Sequence, residues 1–307
     1  MNQSKTILFF GNERLATGVT TQTPVIKALV SNGYNVAAVV TTSVNYTASS
    51  RKPRKLEIAE QAEKFNIPVL EFSRLKDSIE QLKNYGAEVG VLAAYGKMVP
   101  QSVIDIFPKG IVNIHPSLLP LHRGPIPLES VILSGEDKTG VSLMQLVSDM
   151  DAGPVYKQEV LALTGNESKQ ELADKLGLMG AEMLIEVLPQ IIDGTIKPLA
   201  QSGPVSYDKR LEASFSALDA NKPATTLERE IRAYKGWPRS KLVFKSQPLI
   251  ITSAHVVEGN TAKPGEYVSI NGSLALTTSS GTLVIDSLIP AGGKEMSGQA
   301  YLLGRPL

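Results

Sequence analysis

Asn113 and His115 stand two residues apart behind the apolar pair Ile111 and Val112, in the run N-I-H-P-S-L-L-P-L-H-R that ends at Arg123. On an extended chain this spacing puts both side chains on one face, and Pro116 then stops the strand. Further on, the segment D-M-D-A-G-P carries Asp151, followed at once by Ala152, Gly153 and Pro154. An amide donor, a titratable ring and a carboxylate together suffice for acyl transfer to an amine. The amide stabilises a developing oxyanion, and the ring and carboxylate move the proton. The chain has no cysteine, which excludes disulfides, thiolate catalysis and thiolate-held zinc or iron–sulfur centres. Asp149 is the rival acid, but only Asp151 precedes the A-G-P turn. Of the other histidines, His122 and His255 read as surface or loop residues, with His122 a candidate to line the pocket.

The elements that must position these residues alternate over the first 195 residues. Thr6–Phe10, Val36–Thr41, Val89–Ala93 and Gly110–Ile114 are short apolar runs without polar alternation, with a further short strand at Ile67–Leu70. Between them, Thr23–Ser31, Lys55–Phe65 and Leu75–Tyr85 have helical spacing. Buried strands separated by helices imply a doubly wound, mostly parallel sheet of Rossmann-like type. In such sheets the site lies beyond the carboxyl ends of the strands, where Asn113–Pro120 falls. Gly140–Val147 and Val155–Leu161 read as strands flanking Asp151, and Ser168–Asp193 as a long core-facing helix. The first strand turn offers only Gly11 where a dinucleotide fingerprint needs G-x-G-x-x-G, which argues against a dinucleotide-binding oxidoreductase.

The texture changes after Gly194. Thr195–Ser206 is polar and holds Pro198 and Pro204, so the linker is placed at residues 196–206. A helix at Thr226–Tyr234 is followed by short runs at Ser240–Phe244, Leu249–Val256, Gly265–Ile270, Ser273–Thr277 and Thr282–Ile289. Five short strands punctuated by Gly and Pro suggest a small OB-like β-barrel. The expected division is a catalytic domain at 1–195 and a C-terminal domain at 207–307.

The segment N-I-H-P-S-L-L-P with Arg123-Gly124 and the later Asp151-Ala152-Gly153 resembles the 10-formyltetrahydrofolate-dependent formyltransferases. That resemblance implies that Asn113, His115 and Asp151 are the catalytic asparagine, histidine and aspartate. It implies that Ser117, Leu118, Leu119 and Pro120 form the folate-binding turn, and that backbone groups around Val89–Gly96 and Asp149–Gly153 recognise the pterin. The co-substrate is then 10-formyltetrahydrofolate, with no metal. The tail resembles that of the branch acting on initiator methionyl-tRNA, through I-R-A-Y-K-G-W-P (Ile231 to Pro238) and P-A-G-G-K-E-M-S (Pro290 to Ser297). Sugar-nucleotide N-formyltransferases share the catalytic half but usually carry different tails.

Two departures from the family pattern matter. Its first turn usually reads G-T-P-x-F-A, and here it is Gly11-Asn12-Glu13-Arg14-Leu15-Ala16. Its loop P-D-R-P-x-G-R-G-K, which enters the acceptor arm, is replaced by Thr41 to Lys55. Basic residues are kept as Arg51, Lys52, Arg54 and Lys55, which become the candidate tRNA contacts. Lys235, Arg239, Lys241 and Lys245, around the lone Trp237, form a second candidate phosphate-contacting face, with Trp237 itself read as packing.

The bulk numbers agree with an ordinary globular protein: 307 residues, 42% hydrophobic and 20% charged, enough for two domains. Net charge is +1, and residues 204–307 hold 12 Lys and Arg against 9 Asp and Glu. That gives the tail a small basic excess. The N-terminus lacks a signal-peptide pattern, and no apolar stretch reaches the roughly 18 residues of a membrane helix. A cytoplasmic monomer without membrane contact is the expectation.

Overall fold

The computed structural model of the protein describes residues 5–14, 17–42, 45–47, 53–259 and 262–307, with the backbone alone at 45–47, 53 and 54. The chain forms two compact units. The first is Met1–Pro127, Asp137–Thr164 and Gln170–Lys209; the second is Leu128–Glu136, Gly165–Lys169 and Arg210–Leu307.

In chain order the elements of the first two hundred residues are β1 (Thr6–Gly11), α1 (Pro24–Ser31), β2 (Asn35–Thr41), β3 (Asn45–Thr47) and β4 (Pro53–Lys55). There follow α2 (Glu57–Lys64), β5 (Val69–Glu71), α3 (Ile79–Lys83), β6 (Val89–Ala93), α4 (Gln101–Ile104), β7 (Ile111–His115), α5 (Pro127–Ser134), β8 (Lys138–Gln145), β9 (Val155–Ala162) and α6 (Lys169–Asp193). The principal sheet has seven strands in the order β5-β2-β1-β6-β7-β8-β9. From β5 to β7 the pairing is parallel; β8 and β9 close one edge antiparallel. Strands buried on both faces read as unbroken apolar runs: Ile7, Leu8, Phe9 and Phe10 of β1 are fully buried. The helix expected over Leu75–Tyr85 begins as a 3₁₀ turn, Leu75–Ser78, and becomes α3 only at Ile79. β3 and β4 form a separate antiparallel pair inside the atypical basic segment.

The second unit contains α7 (Ala224–Ala233), then β10 (Ser240–Phe244), β11 (Gln247–Val257), β12 (Tyr267–Ile270), β13 (Ser273–Thr277), β14 (Thr282–Pro290), β15 (Met296–Ser297) and α8 (Gly298–Gly304). Its strands make a curled antiparallel sheet in the order β10-β11-β14-β13-β12, with β15 added against β14. Leu227 and Ile231 of α7, with Phe244, Leu249, Leu274, Leu283, Ile285 and Tyr301, fill its core. Sequence reading missed α8: it is short, and its start signal is a single cap, the Ala300 amide donating to Ser297 Oγ at 3.1 Å.

The departed turn after β1 holds a buried acid. Glu13 is 2% exposed and left-handed, at φ 45°. Its Oε1 accepts the Val25 amide of α1 at 2.8 Å. Burial pushes its carboxyl up to about 8, against the opposing pull of the Val25 and Ile26 amides and of Lys27. A carboxyl raised in the folded state stabilises fully below its unfolded value of 4.5 and loses that stability as pH rises to about 8. Glu13→Gln keeps an acceptor for Val25 and cannot ionise. Its melting temperature relative to wild type is therefore expected to rise between pH 5 and pH 8 by at least about 3 °C, the shift that about 1 kcal/mol produces in a domain of this size. Thermal unfolding at several pH values checks this, and a constant difference would contradict it.

Candidate active site

β7 delivers the first two groups. It lies between β6 and β8, pairing Asn113 with Leu92 on one side and with Met144 on the other. Asn113 and His115 share one face of β7 and are 6% and 5% exposed. The third group comes from the segment 146–154 between β8 and β9, which returns to bring Asp151 Oδ1 within 3.7 Å of His115 Nδ1. That distance is inside electrostatic reach and outside a hydrogen bond. Asp149 is exposed and makes its turn contact through its carbonyl, with the Ala152 amide at 3.3 Å. The acid beside His115 is Asp151, the one that precedes the A-G-P turn.

The return of 146–154 depends on Gly153: a Cβ there would lie 1.8 Å from the Gln145 carbonyl oxygen. Asp151 is held in the left-handed region, at φ 49°, and its Oδ2 accepts the Gly124 amide at 2.7 Å. One carboxylate oxygen is therefore committed to the loop after β7, and the other is turned to His115.

Hydrogen-bond chemistry also fixes a proton on His115. Its Nε2 lies 2.9 Å from the carbonyl oxygen of His122, and a carbonyl can only accept. Nε2 therefore carries the hydrogen, and Nδ1 is the nitrogen that faces Asp151.

The turn 117–120 is braced from within. Ser117 is fully buried and its hydroxyl donates to the Leu121 carbonyl at 2.7 Å. Ser142 Oγ of β8 donates to the Ser117 carbonyl at 2.6 Å and accepts the Leu119 amide at 3.1 Å. Gln158 of β9 donates to the Leu119 carbonyl at 2.8 Å. Leu119 and Pro120 are buried and Leu118 is half-buried. The polar groups named here are engaged inside the protein, so the turn offers shape.

Sequence reasoning missed the contribution of residues 199–208, which it divided between the linker, to Ser206, and the C-terminal domain from Tyr207. Gln201 Nε2 donates to the carbonyls of Asp151 and Gly153, both at 2.8 Å. Its Oε1 accepts from Arg123 Nε and Nη2 at 3.1 and 2.7 Å. Arg123 Nη1 donates to the Tyr207 hydroxyl at 2.8 Å. Gln201 therefore ties the backbone around Asp151 to the loop that follows β7. His122, read as a surface or loop residue and a candidate to line the pocket, lies in a loop and is 9% exposed, whereas His255 is exposed and lies 2.7 Å from Asp286. Long-range tertiary bonds of single glutamines and histidines leave no periodic signal in a sequence.

Of the candidate tRNA residues, Arg51 and Lys52 lie outside the described residues, and Arg54 is described in its backbone alone, within β4. Lys55 Nζ lies 2.5 Å from Glu63 Oε2 of α2. In the second unit Lys235, Arg239, Lys241 and Lys245 are all exposed. Trp237 is 44% exposed, more than its reading as packing implied. Among the described residues no group of three or more His, Cys, Asp or Glu is placed to hold a metal ion.

Comparison with known proteins divides the chain between residues 188 and 210. The formyl transferase family profile matches residues 13–188, and the profile of the formyl transferase C-terminal domain matches residues 210–306. Fold and profiles together define a formyl transferase that uses 10-formyltetrahydrofolate. Methionyl-tRNA formyltransferase of Chloroflexus aurantiacus is 37% identical over 306 residues, spanning 97% of this chain and 96% of that protein. The protein of the same name from Thermodesulfovibrio yellowstonii is 30% identical over 99% and 97% of the two chains. The chain belongs to the methionyl-tRNA formyltransferase family.

Two solved structures share the fold at low identity. HypX from Aquifex aeolicus in complex with tetrahydrofolic acid superposes with a TM-score of 0.66 at 18% identity, covering 96% of this chain and 46% of that one. The N-formyltransferase from Helicobacter canadensis, in complex with folinic acid and dTDP-3-aminofucose, gives 0.67 at 16% identity, covering 92% and 98%.

Gln201→Ala removes the tie between Arg123 and the backbone of residues 151–153. A displacement of about 1 Å at a reacting group can cost about a hundredfold in rate. The variant is expected to lose at least about tenfold in kcat/KM while remaining folded, as steady-state kinetics and circular dichroism would show; wild-type kinetics would contradict the assignment.

Proposed function

We propose that this chain transfers the formyl group of 10-formyltetrahydrofolate to the free amino group of methionyl-initiator-tRNA, giving N-formylmethionyl-tRNA for translation initiation, with Asn113, His115 and Asp151 as the groups that do the chemistry. The observation that carries the residue assignment is the approach of Asp151 to His115, at 3.7 Å, beside an asparagine on the same strand face. The full-length likeness to methionyl-tRNA formyltransferases supports the choice of acceptor.

The donor supplies an activated formyl carbon to the attacking amine. Asn113 donates its side-chain amide to the oxygen on which negative charge develops, an interaction that strengthens toward the transition state. Asp151 takes the proton that the attacking amine must lose, directly or through water. His115, its Nε2 hydrogen occupied by the His122 carbonyl, works through Nδ1, as a second donor to the oxyanion when protonated and as a relay toward the leaving nitrogen when neutral. The turn Ser117–Pro120 shapes the folate side of the pocket, and backbone groups near 89–96 and 149–153 read the pterin.

The tRNA belongs to two basic regions. One is the segment from Arg51 to Lys55; the other is the exposed set Lys235, Arg239, Lys241 and Lys245 with Trp237. Such residues bind phosphate by releasing counterions, so their contribution falls as salt rises. The reading also places the chain in the cytoplasm as a monomer. Among the described residues no helix is long and apolar enough to cross a membrane.

Asn113→Ala and Asp151→Asn are each expected to lower kcat for methionyl-tRNA formylation about a hundredfold or more, with folate binding retained, because both act on the transition state. Equilibrium folate binding alongside single-turnover formylation tests this, and full turnover in either variant removes that residue from the chemistry. Charge reversal at Arg51 and Arg54 together, or at Lys235 and Lys241 together, is expected to raise KM for the tRNA several-fold and flatten its salt dependence while leaving KM for folate unchanged. An unchanged tRNA KM and salt slope would exclude the altered region from the tRNA-binding surface.

A further inference from the structure

A second histidine–aspartate pair stands directly behind the first. His122 Nδ1 lies 3.2 Å from Asp208 Oδ1, with both side chains about nine-tenths buried, at 11% and 10% exposure. A carboxylate only accepts, so it takes the hydrogen of His122 Nδ1. The backbone of His122 is left-handed, at φ 56°, a conformation uncommon outside glycine and stabilised here by its surroundings. Those surroundings are supplied by residues 206–208. The His122 amide donates to Ser206 Oγ at 2.7 Å. The Arg123 amide donates to the Ser206 carbonyl at 3.0 Å, and the Asp208 amide to the Arg123 carbonyl at 2.7 Å. Gly124 permits this close approach, since a Cβ there would lie 2.8 Å from the Asp208 carbonyl oxygen. Asp208 Oδ2 is buried with no hydrogen-bond partner among the described residues, a cost to stability that packing alone does not explain.

The carbonyl that this left-handed residue presents is the one that binds His115 Nε2 at 2.9 Å. We infer that Asp208 is a positioning residue for catalysis: by holding the His122 ring it holds the His122 carbonyl on His115 Nε2, and so keeps His115 Nδ1 turned to Asp151 and the reacting atoms. The inference rests on the reading that His115 and Asp151 do the chemistry. Were the ring released, the left-handed His122 backbone would be held by the Ser206 and Arg123 contacts alone, and relaxation toward negative φ would draw its carbonyl away from His115 Nε2. His115 could then rotate or change tautomer at no cost.

Spectra and kinetics on the full chain test this. Nitrogen-15 spectra of histidine-labelled wild type should show His115 bearing hydrogen on Nε2 whenever the ring is neutral; an Nδ1-only tautomer overturns the inference without any variant. Asp208→Ala is expected to lower kcat for methionyl-tRNA formylation about tenfold, with KM for folate and for tRNA within about twofold and with the His115 signals shifted toward mixed tautomers. Asp208→Asn, whose amide oxygen still accepts the His122 hydrogen, should recover most of that loss. His122→Gly adopts positive φ freely but has no ring to hold, so it should resemble Asp208→Ala, and the double variant should be no worse than either single one. A wild-type kcat in Asp208→Ala, a loss confined to KM, additive losses in the double variant, or an Asn variant as impaired as the Ala variant each overturns the role. Asp151→Asn is the control: if it turns over normally, the reading of the first pair fails, whatever happens at Asp208.

Discussion

The hydrogen bond between His115 Nε2 and the His122 carbonyl constrains the site more than any other single contact. It spends one nitrogen of the imidazole on the protein's own backbone and leaves the other for chemistry. Everything around it serves that division. β7 fixes where the ring starts, the left-handed His122 fixes where the carbonyl points, and residues 206–208 fix His122. Asp151 approaches from the other side on a segment whose path requires Gly153 and whose backbone is held by Gln201. The groups proposed to do the chemistry thus sit on a strand and a braced turn, the arrangement that preorganised stabilisation of a developing charge demands.

What was legible in the sequence follows from which interactions leave a local mark. The parallel strands were readable because burial on both faces makes them continuous apolar runs, and Val89–Ala93 falls where the sequence put it; the antiparallel strand Ser240–Phe244, buried at alternate residues, also falls where the sequence put it. The N-x-H spacing was readable because strand geometry puts i and i+2 on one face, and the structure places Asn113 and His115 so. Choosing Asp151 over Asp149 required only the turn chemistry of the residues after it. The bracing network was not readable. Gln201 lies in the polar, proline-bearing stretch read as a linker and Asp208 just beyond it, and their partners are between 48 and 86 residues away. The short helices α4 and α8 were lost for a related reason: one or two turns carry too few apolar positions to show a period.

The altered turn after β1 follows the same logic. Glu13 occupies a position where the sequence departs from the formyltransferase pattern, and its carboxylate meets the amide of Val25 at the start of α1. A buried acid whose carboxyl is pushed up by burial gives this helix start a pH sensitivity of its own, separate from the His115–Asp151 pair. The likeness to the methionyl-tRNA formyltransferase of Chloroflexus aurantiacus covers 97% of the chain.

Transfer of labelled formyl from 10-formyltetrahydrofolate, offered in parallel to charged initiator methionyl-tRNA, uncharged tRNA and an amino-sugar nucleotide, tests the account most directly. Label on methionyl-tRNA alone, at the methionine nitrogen, is the predicted result. Label on the sugar nucleotide and none on methionyl-tRNA would contradict it, because the site would then run the same chemistry on a different amine.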